Sequence, residues 1–304
     1  MVYLAPSIRY LLLAGAMLVG SPALAGDVTP DRLVNADKEP QNWLMNHRTY
    51  DSRRYSPLDA INEDNVKNLK LEYAVALGGT TADENLEATP LAEDGFLYVV
   101  DQWGVPVEYD PKRDIQVYSG LQNQTVADPT KRLCPSMSGG NNFWPSAYSQ
   151  RTKLIYIPSM SSCNELTLDP KLSNKAGDWK GARFHNIERN TSDIIAADPL
   201  TGDIRVTQHI PYPNNAGILA TAGGIIFTGF TDGTFAAYDD TTLKQLWKIN
   251  VGSGFDAPPM TFAVNGKQYV AILSGLSKIA QRRHDFTPEL KYQRNQTMLF
   301  VFGL

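Results

Sequence analysis

The chain has 304 residues, with 28 lysines and arginines against 32 aspartates and glutamates, a formal net charge of −4 and a pI near 5.6. It contains no run of basic residues, which argues against a nucleic-acid-binding protein and against a protein that binds anionic membrane surfaces. Small molecules and other proteins therefore remain as the expected partners.

The first 25 residues have the pattern of a secretory signal peptide. Arg9 precedes an apolar run over residues 10–20, and residues 21–25 supply a small-x-small end, so cleavage is expected after Ala25. The alternative, a membrane anchor, is disfavoured because the run is shorter than the ~20 residues that cross a bilayer. No later stretch is long enough to span a membrane. The sequence therefore predicts a periplasmic protein of residues 26–304.

Short antiparallel strands are predicted along most of that region. Residues 62–69 read as a short capped helix that leads into a strand over residues 69–77. A strand-turn-strand pattern then occurs four times, at residues 88–100, 144–157, 217–227 and 257–271. Three of the turns contain pairs that tolerate positive φ in tight hairpins, namely Asp94 with Gly95, Gly223 with Gly224, and Asn265 with Gly266.

A second pattern gives the size of the repeat. It runs from Ala196 and again from Ala237, 41 positions later. That distance is the length of one four-stranded propeller blade, roughly 40–50 residues. In the second copy Asp239 and Thr242 are predicted to tie the turn, and Trp247 to dock between neighbouring blades. The fold class predicted is all-β, a β-propeller of four-stranded antiparallel blades.

Two segments, residues 104–132 and 164–190, look irregular and are predicted to be long insertions of the kind that build binding faces in propellers. The chain has two cysteines, Cys134 and Cys163, and in an oxidising compartment they are expected to form one disulfide. A zinc site is disfavoured because the four histidines are scattered, at His47, His185, His209 and His284.

Several motifs together resemble the PQQ-dependent methanol and ethanol dehydrogenases. They lie in the same order as in that family, at residues 42–69, 87–90, 134–149, 219–224 and 252–259. Residues 237–247 are similar to the tryptophan-docking motif of the family. The resemblance covers nearly the whole of residues 26–304.

The resemblance implies an eight-bladed propeller that holds PQQ on its axis beside a calcium or lanthanide ion. By position, Glu87 resembles the glutamate that hydrogen-bonds the acid groups of the quinone, and Asn142 resembles the asparagine that contacts its oxygens. The other interpretation is that Glu87 is a solvated carboxylate at a strand edge and Asn142 a turn residue. Cys134 and Cys163 are spaced like a structural disulfide found in many members.

The sequence also departs from the family. The family reaction needs a carboxylate base, a metal held by oxygen ligands, and a pair of adjacent cysteines packed on PQQ. This chain has no adjacent cysteines, and it passes from the first blade into a late blade near Val105 and Pro106. Asn215 stands where the family often has an aromatic residue. No residue is therefore assigned as catalytic base or metal ligand.

The sequence therefore predicts an incomplete propeller of about four to five blades. Residues 26–104 are interpreted as a leading segment and first blade, and residues 105–304 as late blades. Open blade faces would favour self-association. Two functions stay open. The first is a PQQ-dependent alcohol dehydrogenase-like enzyme that oxidises a primary alcohol or polyol and passes electrons to a cytochrome c, with activity impaired by the loss of middle blades. The second is a non-catalytic periplasmic propeller, which is either a binding or scaffold protein or a degenerate remnant.

Overall fold

The computed structural model describes residues 28–78, 89–98, 130–136, 140–169, 171, 182–290 and 295–304. Nearly all of its regular structure is β-strand, so the all-β prediction is confirmed. Within these residues no helix is long and apolar enough to cross a membrane. The predicted signal peptide lies outside them, and the predicted domain boundaries stay predictions.

The leading segment contains short elements. The helix α1 spans Pro30–Val34 and is capped by the Thr29 side chain, and a 3₁₀ turn follows at Ala36–Lys38. Strand β1 is Tyr55–Ser56, and the helix predicted within residues 62–69 is a single 3₁₀ turn, Val66–Asn68. A turn of three residues is too short to propagate as an α-helix.

Three sheets form the body of the fold, and we call their four-stranded antiparallel parts blades A, B and C; in the sheet of blade B, β1 is a fifth, parallel strand. Blade A consists of β6 (Ala147–Tyr148), β7 (Ile155–Ser161), β10 (Thr191–Ala197) and β11 (Ile204–Ile210). Blade B consists of β12 (Ile218–Thr221), β13 (Ile225–Gly229), β14 (Thr234–Asp239) and β15 (Gln245–Asn250). Blade C consists of β16 (Met260–Val264), β17 (Lys267–Ser274), β18 (Thr297–Gly303) and β2 (Lys70–Gly78).

A separate hairpin belongs to the first blade of the sequence. It pairs β3 (Leu91–Glu93) with β4 (Phe96–Tyr98) through a turn in which Asp94 and Gly95 have φ of 46° and 87°. Positive φ at both central residues is the geometry that matches the twist of two paired strands. All four predicted hairpins are therefore present. In the described part of the chain the sheets do not close into a ring, as expected for an incomplete propeller.

Blade B is packed between the other two blades. Its side chains share one hydrophobic cluster with blade A and another with blade C and the first hairpin. Trp247 confirms the predicted docking, because its ring lies 5.6 Å from that of Phe302 in blade C. The predicted turn is also confirmed, since Asp239 Oδ1 accepts hydrogen bonds from the Thr242 amide (2.6 Å) and hydroxyl (2.8 Å).

The prediction that residues 164–190 are irregular is wrong in part. Strands β8 (Asn164–Leu168) and β9 (Ala182–Asn186) pair there, and β5 (Thr130–Leu133) joins them to make a three-stranded sheet. The polar composition of the segment hides two short strands that become ordered by pairing with each other. The rest of the other predicted insertion, residues 104–129, lies outside the described residues.

Strand β1 lies on the inner edge of blades A and B. It runs parallel to β12, where the Ala220 amide donates to the Arg54 carbonyl (3.1 Å). The Tyr148 amide of β6 donates to the Arg53 carbonyl (2.8 Å). The leading segment therefore joins the innermost strands of two blades.

Candidate functional site

The innermost strands β6, β12 and β16 begin at the same end of the molecule, which we call the top end. The Ile218 amide donates to the Pro145 carbonyl (2.9 Å), which joins the start of β12 to the residues before β6. The guanidinium of Arg54 donates both to the Ile218 carbonyl and to the Pro259 carbonyl, just before β16. Residues that precede these strands therefore lie close together.

A segment of blade C crosses the top end and reaches blade A. We call it the strap, residues 275–290 and 295–296, and it contains helix α2 (Lys278–Arg282) and the 3₁₀ turn Pro288–Leu290. The side-chain amide of Asn186 donates to the Arg282 carbonyl (2.6 Å), and that of Asn190 donates to the Arg283 carbonyl (3.2 Å). Two contacts thus fix the strap to the insertion of blade A.

The strap carries a buried cation, Arg283. It is 7% exposed, and its guanidinium lies 5.3 Å from the centre of the Trp144 ring. Trp144 is itself 1% exposed, and its indole N–H donates to the Pro158 carbonyl (2.9 Å). A guanidinium on a buried indole face is a favourable cation–π arrangement and places a positive charge beneath the protein surface.

Asp256 anchors the other end of the strap. It is 1% exposed and accepts hydrogen bonds from the Asn215 side-chain amide (3.1 Å) and from the Ser277 backbone amide (2.9 Å). Burial raises the pKa of Asp256, while these two donors and the charge of Arg283 act in the opposite direction. A buried carboxylate whose pKa is raised, at the start of an inner strand, is the kind of group that proton-transfer sites use.

Buried polar atoms without a hydrogen-bond partner among the described residues are concentrated on the strap and the residues beneath it. Five of them belong to strap residues or to the tops of blades A and B: Asn190 Oδ1, Asn215 Oδ1, Thr231 Oγ1, His284 Nε2 and Thr287 Oγ1. Leaving such an atom without a partner costs ~1–3 kcal/mol. The group can therefore bind polar parts of a ligand through its acceptor oxygens, its hydroxyls and an imidazole. The imidazole of His284 is neutral because burial lowers its pKa to about 4.

The residues predicted to contact a cofactor are placed only in part. Asn142 lies in the exposed loop that leads into β6, two residues before Trp144. Glu87 lies outside the described residues, so both assignments remain predictions. Asn215 is fully buried and its side-chain amide donates a hydrogen bond to Asp256. The sequence analysis missed Asp256 and Arg283, although Asp256 falls inside the motif of residues 252–259.

The predicted disulfide is confirmed, since Cys134 and Cys163 are bonded to each other and join the residue after β5 to the residue before β8. Within the described residues one group of three His, Cys, Asp or Glu side chains is close enough to share a metal ion, formed by these cysteines and Glu188. Sulfur ligates metals as a thiolate, so the disulfide removes two of these three ligands.

Sequence comparison places this architecture among known proteins. Residues 188–270 match the family model of the PQQ-dependent glucose, ethanol and alcohol dehydrogenase β-propeller domain. Over 220 residues, 62% of the chain, it is 34% identical to the quinoprotein alcohol dehydrogenase PedE of Pseudomonas putida. Over this part of its length the chain is similar to the quinoprotein alcohol dehydrogenases. The alignment covers 34% of PedE, so the chain spans about a third of the length of this relative.

A second relative and a solved structure are also similar to the chain, the latter in fold. A lanthanide-dependent methanol dehydrogenase of Methylacidiphilum fumariolicum is 31% identical over 198 residues, which cover 63% of the chain and 31% of that protein. The fold is similar to that of a europium-containing methanol dehydrogenase, with a TM-score of 0.70, 16% identity and coverage of 90% of this chain and 100% of that one. Asn215 and Asp256 both lie in the segment that the quinoprotein family model matches.

Proposed function

We propose that the chain binds PQQ and acts as an alcohol dehydrogenase-like oxidoreductase, which oxidises a primary alcohol or polyol and passes the electrons to a cytochrome c. The observation that supports this most is the buried polar group under the strap, at the top end of a segment related to quinoprotein dehydrogenases. Turnover is expected to be slow, because the chain is related to only part of each full-length enzyme.

Two described side chains support binding of the organic part of the cofactor. PQQ is a planar quinone with carboxylate groups, and it supplies an acceptor for the two electrons of the alcohol when it is bound. Arg283 offers a buried positive charge for one carboxylate, and Asn142 offers an amide on the adjacent loop. Trp144 supplies the rigid aromatic floor on which Arg283 rests.

Asp256 is the described carboxylate best suited to take up the proton of the alcohol. Two hydrogen-bond donors hold it in one orientation below the strap, and burial raises its pKa. The strap would also limit access of water, because its contacts with Asn186 and Asn190 span the top end.

The described residues do not offer a matching site for the metal that accompanies PQQ in related enzymes. A hard cation requires several oxygen ligands that converge on one point. Among the described residues the candidate group contains two disulfide sulfurs and a single carboxylate. We therefore assign no metal ligand and no step that involves a metal.

The test is a titration of the purified protein with PQQ, alone and with Ca²⁺ or La³⁺, followed by tryptophan fluorescence. Saturable quenching is expected for the wild type. Arg283→Ala should weaken PQQ binding about tenfold or more, since a charge-assisted contact contributes ~1.5–3 kcal/mol. Arg282→Ala is the matched control, because that neighbouring side chain is exposed. A folded wild-type protein that does not bind PQQ would contradict the proposal.

Dye reduction by added alcohols then separates the enzyme from the second candidate, a non-catalytic periplasmic scaffold or degenerate remnant. The poor match to a metal site favours this second candidate. Binding of PQQ without alcohol-dependent dye reduction would support a binding protein. Reduction that requires both PQQ and alcohol would support the enzyme.

We also propose a periplasmic location, reached through a signal peptide of residues 1–25. It is supported by the pattern around Arg9 and by the disulfide between Cys134 and Cys163, which an oxidising compartment maintains. Mass spectrometry of the protein isolated from cells should find an amino terminus at Gly26. A chain that retains Met1 in the cytoplasmic fraction would contradict this location.

A further inference from the structure

The disulfide lies beside charged side chains at one end of the three-stranded sheet. Cys134 follows β5, and Cys163 precedes β8. A carboxylate oxygen of Glu188 and the two sulfur atoms lie within 4.8 Å of one another. Arg132 Nη2 lies 3.2 Å from Glu188 Oε2. Two opposite charges therefore stand next to a bond that thiols can attack.

The two bonded cysteines differ in exposure. Cys134 is exposed, whereas Cys163 is 7% exposed. The backbone around Cys163 is paired on both sides, since its carbonyl accepts from the Ile187 amide (3.4 Å) and the Ser162 carbonyl accepts from the Ser136 amide (2.8 Å). Thiol–disulfide exchange begins when a thiolate attacks one sulfur, and its rate depends on access to that sulfur. Attack from solvent is therefore directed to Cys134.

The nearby cation distinguishes the two sulfurs in the same sense. Arg132 Nη2 lies 3.8 Å from Cys163 Sγ. Attack on Cys134 releases Cys163 as a thiolate, and exchange is faster when the departing sulfur is more stable in that form. A neighbouring guanidinium stabilises a thiolate. Glu188 has the opposite effect, but it lies close to both sulfurs and so favours neither.

We infer that this disulfide is a site of thiol–disulfide exchange with an external dithiol, opened by attack on Cys134. The incoming sulfur bonds to Cys134 Sγ as the bond to Cys163 breaks, and the electron pair of that bond leaves on Cys163 Sγ beside Arg132. The second thiol of the reagent then attacks the first and releases Cys134 as a thiolate. The dithiol is oxidised to a disulfide, and the protein is reduced by the same two electrons. This inference does not depend on the proposed activity.

Reaction of the folded protein with reduced glutathione tests which sulfur is attacked. The reaction is stopped at short times with N-ethylmaleimide, and peptide mass spectrometry locates both groups. We expect glutathione on Cys134 and N-ethylmaleimide on Cys163 in most molecules that carry one of each. Equal amounts of glutathione on the two cysteines, or glutathione mainly on Cys163, would overturn the inference.

Arg132→Gln tests the contribution of the guanidinium. Reduction by dithiothreitol should be about two- to fivefold slower in this variant, the size of effect expected of one exposed charge. Arg183→Gln is the matched control, because Arg183 is also exposed, is paired with Asp169 (2.7 Å), and lies opposite Thr167, away from the disulfide end of β8. Equal rates of reduction in the two variants would contradict the inference.

Urea separates attack on the folded protein from attack on the unfolded chain. Urea below the unfolding transition raises the fraction of unfolded molecules steeply, because the free energy of unfolding falls linearly with its concentration. We expect the rate of reduction to stay constant over that range. Circular dichroism would verify that each variant is folded. A rate that rises with the unfolded fraction would overturn the inference, since the disulfide would then be reached only through unfolding.

Discussion

The guanidinium of Arg54 lies 5.3 Å from the centre of the Trp43 ring, in the interior of the molecule, and both side chains are fully buried. Arg54 donates through Nε to the Ile218 carbonyl (3.2 Å) and through Nη2 to the Pro259 carbonyl. Its Nη1 donates to Thr89 Oγ1 (3.2 Å). No carboxylate among the described residues forms an ion pair with it. One cation thus joins blade B, blade C and the first hairpin.

Arg54→Lys should strongly destabilise the fold. An ammonium group cannot reach the separate acceptors that the planar guanidinium reaches, so buried carbonyls lose their donors. We expect the free energy of unfolding, measured by urea denaturation, to fall by about 3 kcal/mol, because each buried acceptor that loses its donor costs ~1–3 kcal/mol. Arg205→Lys is the control, because Arg205 is exposed and should change stability by less than ~0.5 kcal/mol. Equal stabilities of the two variants would contradict this role.

Gly217 offers a test of the contact between blades A and B. Its φ is +81°, and a Cβ atom there would lie 2.4 Å from Pro145 Cδ. Gly202 has a similar φ of +78° with no atom within 4 Å of the same position. Gly202→Ala should therefore cost only the backbone strain, about 1 kcal/mol. Gly217→Ala should cost roughly 2 kcal/mol more because the blades must move apart. Equal losses of stability for the two variants in thermal or urea unfolding would show that blades A and B can separate at this contact at little cost.

The disulfide should contribute to stability by restricting the unfolded chain. Cys134 and Cys163 are 29 positions apart, and closing a loop of that size corresponds to about 3–4 kcal/mol. The Cys134→Ser, Cys163→Ser double variant should unfold at correspondingly lower urea concentration. Wild type treated with a reductant is the control and should match it. Unchanged stability in the double variant and in the reduced wild type would mean that the disulfide restricts neither the folded nor the unfolded chain.

The local features of the fold were predictable from sequence, and the top end was not. Asp94 with Gly95 specifies its turn through backbone conformation alone, and Asp239 with Thr242 does so through bonds within four residues. Strand β1 has only two residues and is stabilised by β12, more than 160 positions later, so no local pattern identifies it. Asp256 and Arg283 each look like ordinary polar residues in sequence. They become a site only because the strap buries them, which is a tertiary effect.

Two partly buried histidines predict how stability depends on pH. Burial, together with the charges of Arg54 and Arg283 respectively, lowers the pKa of both His47 and His284 to about 4. At pH 7 both histidines are neutral in the folded chain and mostly neutral in the unfolded chain. As the pH falls below the unfolded value near 6.5, the unfolded chain binds protons that the folded chain does not, so stability falls until about pH 4.

The expected loss is on the order of 1–2 kcal/mol for each histidine between pH 6.5 and 4, reduced from the full linkage value because both rings are partly exposed. His284→Gln should remove about half of this dependence in urea titrations at a series of pH values. His185→Gln is the control, because that ring is 57% exposed. A His284→Gln profile parallel to that of the wild type would show that the pKa of His284 is the same in the folded and the unfolded chain, and that the strap does not exclude water from the residues beneath it.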